Sequence, residues 1–453
     1  MTSLKFHGGV DEIGGNKILL QDGDTSIWLD FGKSFTLGQD YYTGWLQPRT
    51  KRGLLDLFEF DLVPRIEGLY AEDQLEGTDL RYEEPRYDGV FISHAHADHV
   101  NHIAFIDPTV PVYTGTGTKL FMEAQERTST FTNYGEHDFR RFRTGDHIKV
   151  GDLELEPIHV DHSIPGAYGY IIHTSEGAVV YTGDVRAHGP RNDMTEEFLR
   201  AAVDSKPIAM ISEGTRMART ENGRNLSETQ VLQGVMDVCR QADSEGKAVL
   251  YTHGPRDMDR LRTFYTAARS CGRTFVIGTR TAHLLHRLIE DEHLDLPDPL
   301  KDDNVRVYYR RKKSGEYREK DYYIWERRYM DKIVATEELS ARPDRYIVNM
   351  EFNSLTELID IRPERGGHFI YSKSEPFAED DVEDAVMHNW LRHFGLRYHQ
   401  LHASGHMSAE ELREMIASIR PGKLFPVHTE GAKLFEEHLE QTITPVIGET
   451  YQL

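Results

Sequence analysis

Residues 87–99 read YDGVFISHAHADH. The segment from Tyr87 to Ser93 is a short apolar run rich in β-formers, the pattern of a fully buried strand. The next six residues hold His94, His96, Asp98 and His99. Ligands of α/β sheets collect at the carboxyl ends of strands. Two histidines two apart in such a turn can aim into one cavity, and the Asp-His pair can serve a second ion beside the first. Burying three imidazoles and a carboxylate without partners is costly. A metal centre therefore explains the hexapeptide better than packing does.

Upstream, residues 17–30 read as two strands around the turn Asp22-Gly23-Asp24. Residues 33–85 look like an elaborated connection and not a separate domain. Downstream come a helix-prone segment (101–106), a short strand (PVYTG) and a helix near 117–127. Residues 147–182 are again strand-like. From about residue 195 the pattern alternates helix and strand. IAMISEG (208–214), AVLYTHG and RTFVIGTR read as strands. The segment 226–242 reads as a helix capped by Ser227. This rhythm predicts a small α/β domain with a parallel sheet.

The chain has 453 residues, 38% hydrophobic and 28% charged. At about 150 residues per domain, that length predicts two to three domains. No apolar run approaches the roughly 20 residues of a membrane helix, and the start lacks a signal-peptide pattern. A cytoplasmic protein without membrane contact is expected. Cys239 and Cys271 are too few for a disulfide scaffold, and both are expected to be reduced core residues. The net charge of −22 opposes wholesale nucleic-acid binding, although a local basic channel remains compatible with it. Residues 306–332 are the candidate lining. They carry ten Lys or Arg against five acids, interleaved with Tyr308, Tyr309, Tyr317, Tyr322, Tyr323, Trp325 and Tyr329. Cations can track phosphates while rings stack on bases; a solvated edge of the inner domain is the competing reading.

Two ions need more ligands. His159, Asp161 and His162 compete on spacing in the next histidine-rich turn. Asp184 ends the strand-like VVYTGD, where a carboxylate can bridge two ions about 3.5–4 Å apart. Late in the chain come His402, Ser404, Gly405 and His406 (LHASGH), then His428 (LFPVHTE). Ser408 and Glu411 form a capping box just after His406, so backbone amides there can cradle a phosphate.

Asp30 after a strand, HAHADH, the turn HSIPG at 162–166, TGD and a late strand-end histidine resemble the metallo-β-lactamase fold. Glu213 in SEGT, His406 in SGH and His428 in PVH resemble the β-CASP nucleases. The opening GGVDEIGGNKILL and the string HASGH are most similar to ribonuclease J and its relatives. There are two departures. Thr429 stands where ribonuclease J usually has Gly, and the chain stops 25 residues after His428, so the extra C-terminal domain of many relatives is expected to be absent.

The resemblance implies an α/β protein. A metallo-β-lactamase αββα sandwich would span residues 1–200 and return at 373–453, with a β-CASP α/β domain inserted at 201–372. It implies that His94, His96 and His162 hold one zinc, that Asp98, His99 and His428 hold another, and that Asp184 bridges them. Mn2+ or Mg2+ are the alternative ions. Asp30 would orient a ligand from behind. Asp98, Asp184, Glu213 and His406 would be the catalytic group, with Glu213 orienting His406 as general acid. His402, Ser404, Gly405 and His406 would meet the substrate phosphate. The implied activity is hydrolysis of single-stranded RNA, 5′-to-3′ from an end, with endonuclease action alongside, in RNA processing or decay. His428 points to RNA, because the DNA-repair branch commonly has valine there. Three other readings compete: a DNA nuclease of that branch, a small-ester hydrolase on the same dimetal fold, and a non-catalytic partner of an RNA-processing complex. The intact ligand set opposes the last. A homodimer is compatible with all of them.

Overall fold

The computed structural model describes residues 1–42, 46–49, 51–218, 226–374, 382–436 and 441–453. The chain divides into two compact units: Met1–Glu221 with Gly405–Leu453, and Asn222–Ser404.

The first unit stacks two sheets. One comprises β1 (Thr2–Gly8), β2 (Lys17–Asp22), β3 (Thr25–Phe31), β4 (Gly89–Ile92), β5 (Val112–Gly115) and β6 (Phe139–Phe142), closed by the terminal strand β20 (Thr450–Gln452) in the order β20-β1-β2-β3-β4-β5-β6. The expected hairpin is present: β2 and β3 pair antiparallel, with Asp22 opposite Thr25 and Gly23 in the left-handed region. From β3 to β6 the pairing is parallel. The other sheet holds β7 (Ile148–Val150), β8 (Leu153–His159), β9 (Tyr168–His173), β10 (Ala178–Tyr181) and β11 (Ala209–Glu213), with β19 (Lys423–Val427) at its edge in the order β19-β11-β10-β9-β8-β7.

Period-two alternation drives the stacking. Leu4 and Phe6 on β1 turn inward between half-buried neighbours. They join Ile18, Leu20, Ile27, Leu29, Tyr170, Ile172, Val179, Ile211, Phe425 and Val427 in one core between the sheets. Each such side chain contributes about 1.5–3 kcal/mol by leaving water. The outer face of the second sheet buries Ile171, Val180, Met210 and Leu424 against helices Asn192–Ser205 and Ala409–Ile419, through Phe198, Ala202, Leu412 and Ile416. Helix Thr116–Thr128 lies against β5 and β6 on the opposite side. The layers run α/β/β/α, a metallo-β-lactamase sandwich.

The second unit is a seven-stranded, wholly parallel sheet. Its strands are β12 (Val249–His253), β13 (Thr274–Gly278), β14 (Val305–Tyr308), β15 (Ile333–Val334), β16 (Tyr346–Asn349), β17 (His368–Ser372) and β18 (Arg397–Gln400). They run in the order β15-β14-β13-β16-β12-β17-β18. Ser227 caps helix Glu228–Glu245 through a capping box with Gln230. Both cysteines are reduced thiols, but only Cys239 is buried. Cys271 is half-exposed because it forms the C-cap of helix Met258–Ser270.

The joins between units fall later than the sequence pattern suggests. β11 pairs with β10 on one side and β19 on the other, so it belongs to the sandwich. β17 and β18 complete the parallel sheet, so the second unit runs on to Ser404.

Within residues 306–332, Tyr308, Tyr309, Tyr322 and Tyr329 are buried. Buried rings are not free to stack on a ligand. Tyr323 is exposed, beside and parallel to Trp325. Arg311 pairs with Glu337 and Lys312 with Glu326. Lys313, Lys320 and Arg328 point into solvent with no acidic partner among the described residues.

Candidate metal centre

β4 is buried along its whole length and ends at Ile92. The turn that follows is pinned by the backbone around it. Lys33 N–H donates to the Ala97 carbonyl at 2.9 Å, and Asn16 N–H to that of Asp98 at 3.1 Å. Gly32 is obligatory, because a Cβ there would lie 1.8 Å from the Asp98 carbonyl oxygen. Lys17, fully buried, donates its ammonium to the Gly15 and Gly32 carbonyls. These contacts fix the direction in which His94, His96, Asp98 and His99 leave the strand.

His94, His96 and His162 converge. His94 Nε2 lies 2.9 Å from His96 Nδ1, and His162 Nε2 lies 3.1 Å from the same atom. The back of each buried ring is held: His94 Nδ1 by Ser93 Oγ at 3.0 Å, and His162 Nδ1 by the Gly405 carbonyl at 2.6 Å. His159 stays outside, bonded to Thr144 and stacked on Tyr168. Asp161 holds the buried guanidinium of Arg186 at 2.9 Å. Of the three competitors in that turn, His162 is the one that enters the cluster.

The second group forms next to the first. His428 Nε2 lies 2.8 Å from Asp98 Oδ2, and His99 Nε2 lies 3.5 Å from the same oxygen. His428 leaves β19 with φ +53° and is tied by its N–H to the Gly9 carbonyl at 2.7 Å. Behind His99, Asp30 Oδ2 takes Nδ1 at 2.7 Å, while Ser93 and Tyr181 donate to the same carboxylate. That contact puts the Nδ1 hydrogen on Asp30 and turns Nε2 toward the cluster.

Asp184 stands between the groups. Its Oδ2 is 3.5 Å from His94, 3.3 Å from His99 and 3.8 Å from His162; its Oδ1 is 3.9 Å from His428. Two sets of potential ligand atoms result, each within a 4.8 Å span: His94, His96, His162, Asp184 and Asp98, His99, Asp184, His428.

The donor set fits divalent cations. Asp184 Oδ1 is buried and accepts no hydrogen bond among the described residues. Where the His94 and His162 Nε2 atoms both approach His96 Nδ1, at 2.9 and 3.1 Å, one N–H cannot serve both contacts fully, and a cation shared among the three nitrogens would use every lone pair.

The electrostatics differ between the two sets. Burial holds the His94 imidazole well below its usual range and pushes His162 down to about 4. Burial also works downward on His428, but the Asp184 and Asp98 carboxylates outweigh it and raise this ring to about 9. His99 is raised as well, burial again being overcome by Asp184, Asp98 and Asp30. Burial opposes ionisation of Asp98 and Asp184, yet the surrounding imidazoles keep both carboxyls well below the usual range.

Glu213 ends β11 and is buried. Its Oε1 lies 3.1 Å from His406 Nδ1, and its Oε2 accepts the Thr215 N–H at 2.9 Å. His406 is partly exposed, with Nδ1 3.9 Å from Asp184 Oδ2. Its backbone is fixed on both sides: the Met407 N–H donates to the Val185 carbonyl, and Arg216 Nη1 donates to the His406 carbonyl at 3.3 Å. The capping box of Ser408 and Glu411 then starts helix Ala409–Ile419. In the second unit, Arg260 Nη1 reaches His402 Nδ1 at 3.4 Å, and Ser404 is the last residue of that unit.

Two site residues escape sequence reasoning. Asn16 is buried, with Nδ2 3.3 Å from His99 Nε2. Thr215 Oγ1 lies 2.7 Å from His428 Nδ1 and 3.2 Å from His406 Nδ1. Both stand inside motifs that the sequence displays, GGNK and SEGT, but amides and hydroxyls are too common to stand out without coordinates.

Residues 67–253 match the family described as Beta-lactamase superfamily domain. Residues 395–447 match Zn-dependent metallo-hydrolase RNA specificity domain. Ribonuclease J 2 of Streptococcus pyogenes is 24% identical over 96% of this chain and 73% of its own length. Ribonuclease J of Sinorhizobium meliloti is 25% identical over 76% of this chain, which spans 58% of that relative. Ribonuclease J2 of Bacillus subtilis is 22% identical over 80% of this chain and 63% of its own length. A crystal structure of a protein of unknown function from Enterococcus faecalis V583 superposes with a TM-score of 0.77 at 26% identity, over the whole of both chains. Domain matches at both ends of the sandwich, similarity to the ribonucleases J and the imidazole–carboxylate cluster place this chain in the metallo-β-lactamase fold, as a ribonuclease J-like protein of the β-CASP group.

Proposed function

We propose that the protein is a metal-dependent ribonuclease that hydrolyses phosphodiester bonds in single-stranded RNA, acting 5′-to-3′ from an end and also internally. The observation that carries this reading is His406, held by Glu213 beside two adjoining ligand sets. A small-ester hydrolase on the same centre has no need of that pair.

In this reading His94, His96, His162 and Asp184 hold one zinc ion, and Asp98, His99, Asp184 and His428 hold a second. When bound, the cations supply Lewis acidity to the phosphoryl group and to the attacking water. The chain's own residues do the rest. Glu213 keeps the hydrogen of His406 on Nδ1, so a proton for the leaving 3′-oxygen passes through Nε2. Asp30 and the Gly405 carbonyl hold the His99 and His162 rings in place. The product keeps a 5′-phosphate.

The test gives zinc-loaded protein matched RNA and DNA strands with 5′-hydroxyl, monophosphate or triphosphate ends. Mononucleotides released from 5′-monophosphorylated RNA are expected. Cleavage of the DNA strand alone, or of neither strand, would overturn the reading.

A further inference from the structure

Thr215 Oγ1 faces two rings of the site at once. It lies 2.7 Å from His428 Nδ1, 3.2 Å from His406 Nδ1 and 3.4 Å from the His428 carbonyl oxygen. The residue is buried, and its own N–H is fixed on Glu213. A hydroxyl carries one hydrogen and can accept two, so its proton arrangement can be worked out from the contacts.

Were the O–H donated to His428 Nδ1, that ring would carry its hydrogen on Nε2. Nε2 is the atom 2.8 Å from Asp98 Oδ2, where a cation needs a lone pair. Were it donated to His406 Nδ1, a bare ring nitrogen would face the Glu213 carboxylate at 3.1 Å. One arrangement avoids both conflicts. The O–H turns to the His428 carbonyl, Oγ1 accepts the His428 Nδ1–H, and the one His406 Nδ1–H is shared between Glu213 Oε1 at 3.1 Å and Oγ1 at 3.2 Å. Each ring then works through Nε2.

We propose that Thr215 is a positioning residue whose single oxygen sets the Nδ1–H tautomer of His428 and, jointly with Glu213, that of His406. It thereby ties the ring that faces the second cation to the ring that handles the substrate proton. The proposal rests on the ribonuclease reading for His406 and on the metal centre alone for His428. Its test therefore reads the two arms separately.

Thr215→Val keeps the shape and removes the oxygen; Thr215→Ser keeps the oxygen. Zinc affinity is measured by chelator competition and RNA cleavage by steady-state kinetics. In Thr215→Val the weaker zinc ion is expected to bind about 10–100-fold less tightly, the usual effect of losing a partner behind a metal ligand. The tighter ion should be retained at full stoichiometry, which reports a folded site. The kcat should fall with KM nearly unchanged. Thr215→Ser should restore both measurements. Wild-type affinity for both ions in Thr215→Val, or a Ser variant as impaired as the Val variant, would overturn the proposal. If the wild type cleaves no RNA, the ribonuclease reading fails, while the zinc arm still decides the role of Thr215 toward His428.

Discussion

His162 and His428 belong to adjoining clusters, and their surroundings move their pKa values in opposite directions. His428 is raised to about 9, so in the metal-free protein its proton stabilises the fold fully below the ordinary 6.5 and is lost as pH rises through about 9. His162 is depressed to about 4 and His94 lies well below its usual range, so both are neutral at pH 7.5. A cation entering between Asp98, His99 and His428 must displace protons, whereas one entering beside His94 and His162 meets rings that are already neutral. Zinc titration at pH 7.5, by calorimetry in two buffers of different ionisation enthalpy, checks this. One equivalent should bind with little proton release and a second with about one proton or more, and affinity for the second should rise toward pH 9. Equal proton release for the two equivalents would contradict the assignment. The residues that the fold gathers into the two clusters stood out in the sequence, because imidazole and carboxylate are rare in such density. Thr215 and Asn16 did not, since only the fold brings them beside the imidazoles.

At the scale of elements, strands were readable from alternation and turns from glycine. The β2–β3 hairpin, the capping boxes at Ser227 and Ser408, and helix Met258–Ser270 follow local sequence. The basic, aromatic stretch at 306–332 was readable only by composition. Composition cannot tell a ring that packs a sheet from a ring offered to a ligand. Folding buries Tyr309 and Tyr329 completely and leaves Tyr323 with 64% of its surface exposed. It also commits Arg311 and Lys312 to acids within the same unit. Lys313, Lys320 and Arg328 are exposed cations of this stretch with no acidic partner among the described residues. Changing these three to Gln should weaken RNA binding, measured on a noncleavable strand. The slope of log affinity against log salt should become shallower by about 0.7 for each phosphate no longer neutralised. Unchanged affinity and slope would make the stretch a solvated edge.

At the scale of the molecule, the sequence pattern told that two kinds of architecture alternate, but not where one hands over to the other. A strand such as Ala209–Glu213 looks the same whichever sheet it joins. Only its pairing with β10 and β19 shows that Glu213 sits at the end of a sandwich strand, next to the cluster. That pairing has a functional consequence. Asp184, Glu213 and His428 follow three neighbouring strands of one sheet, β10, β11 and β19, so a distant stretch of chain completes the site. His94 to His99 arrive from the other sheet, and the core between the two sheets sets their separation. No helix among the described residues is long and apolar enough to cross a membrane. At this junction of the two sheets, Asp184 stands between the two groups of potential cation ligands. Anomalous diffraction from crystals of the zinc-loaded protein, recorded on both sides of the zinc edge, tests most directly whether they hold a pair of cations. Two peaks are expected to flank the Asp184 carboxylate, one against His94, His96 and His162 and the other against Asp98, His99 and His428. A map with no peak there, or with zinc bound only elsewhere on the chain, would contradict that expectation.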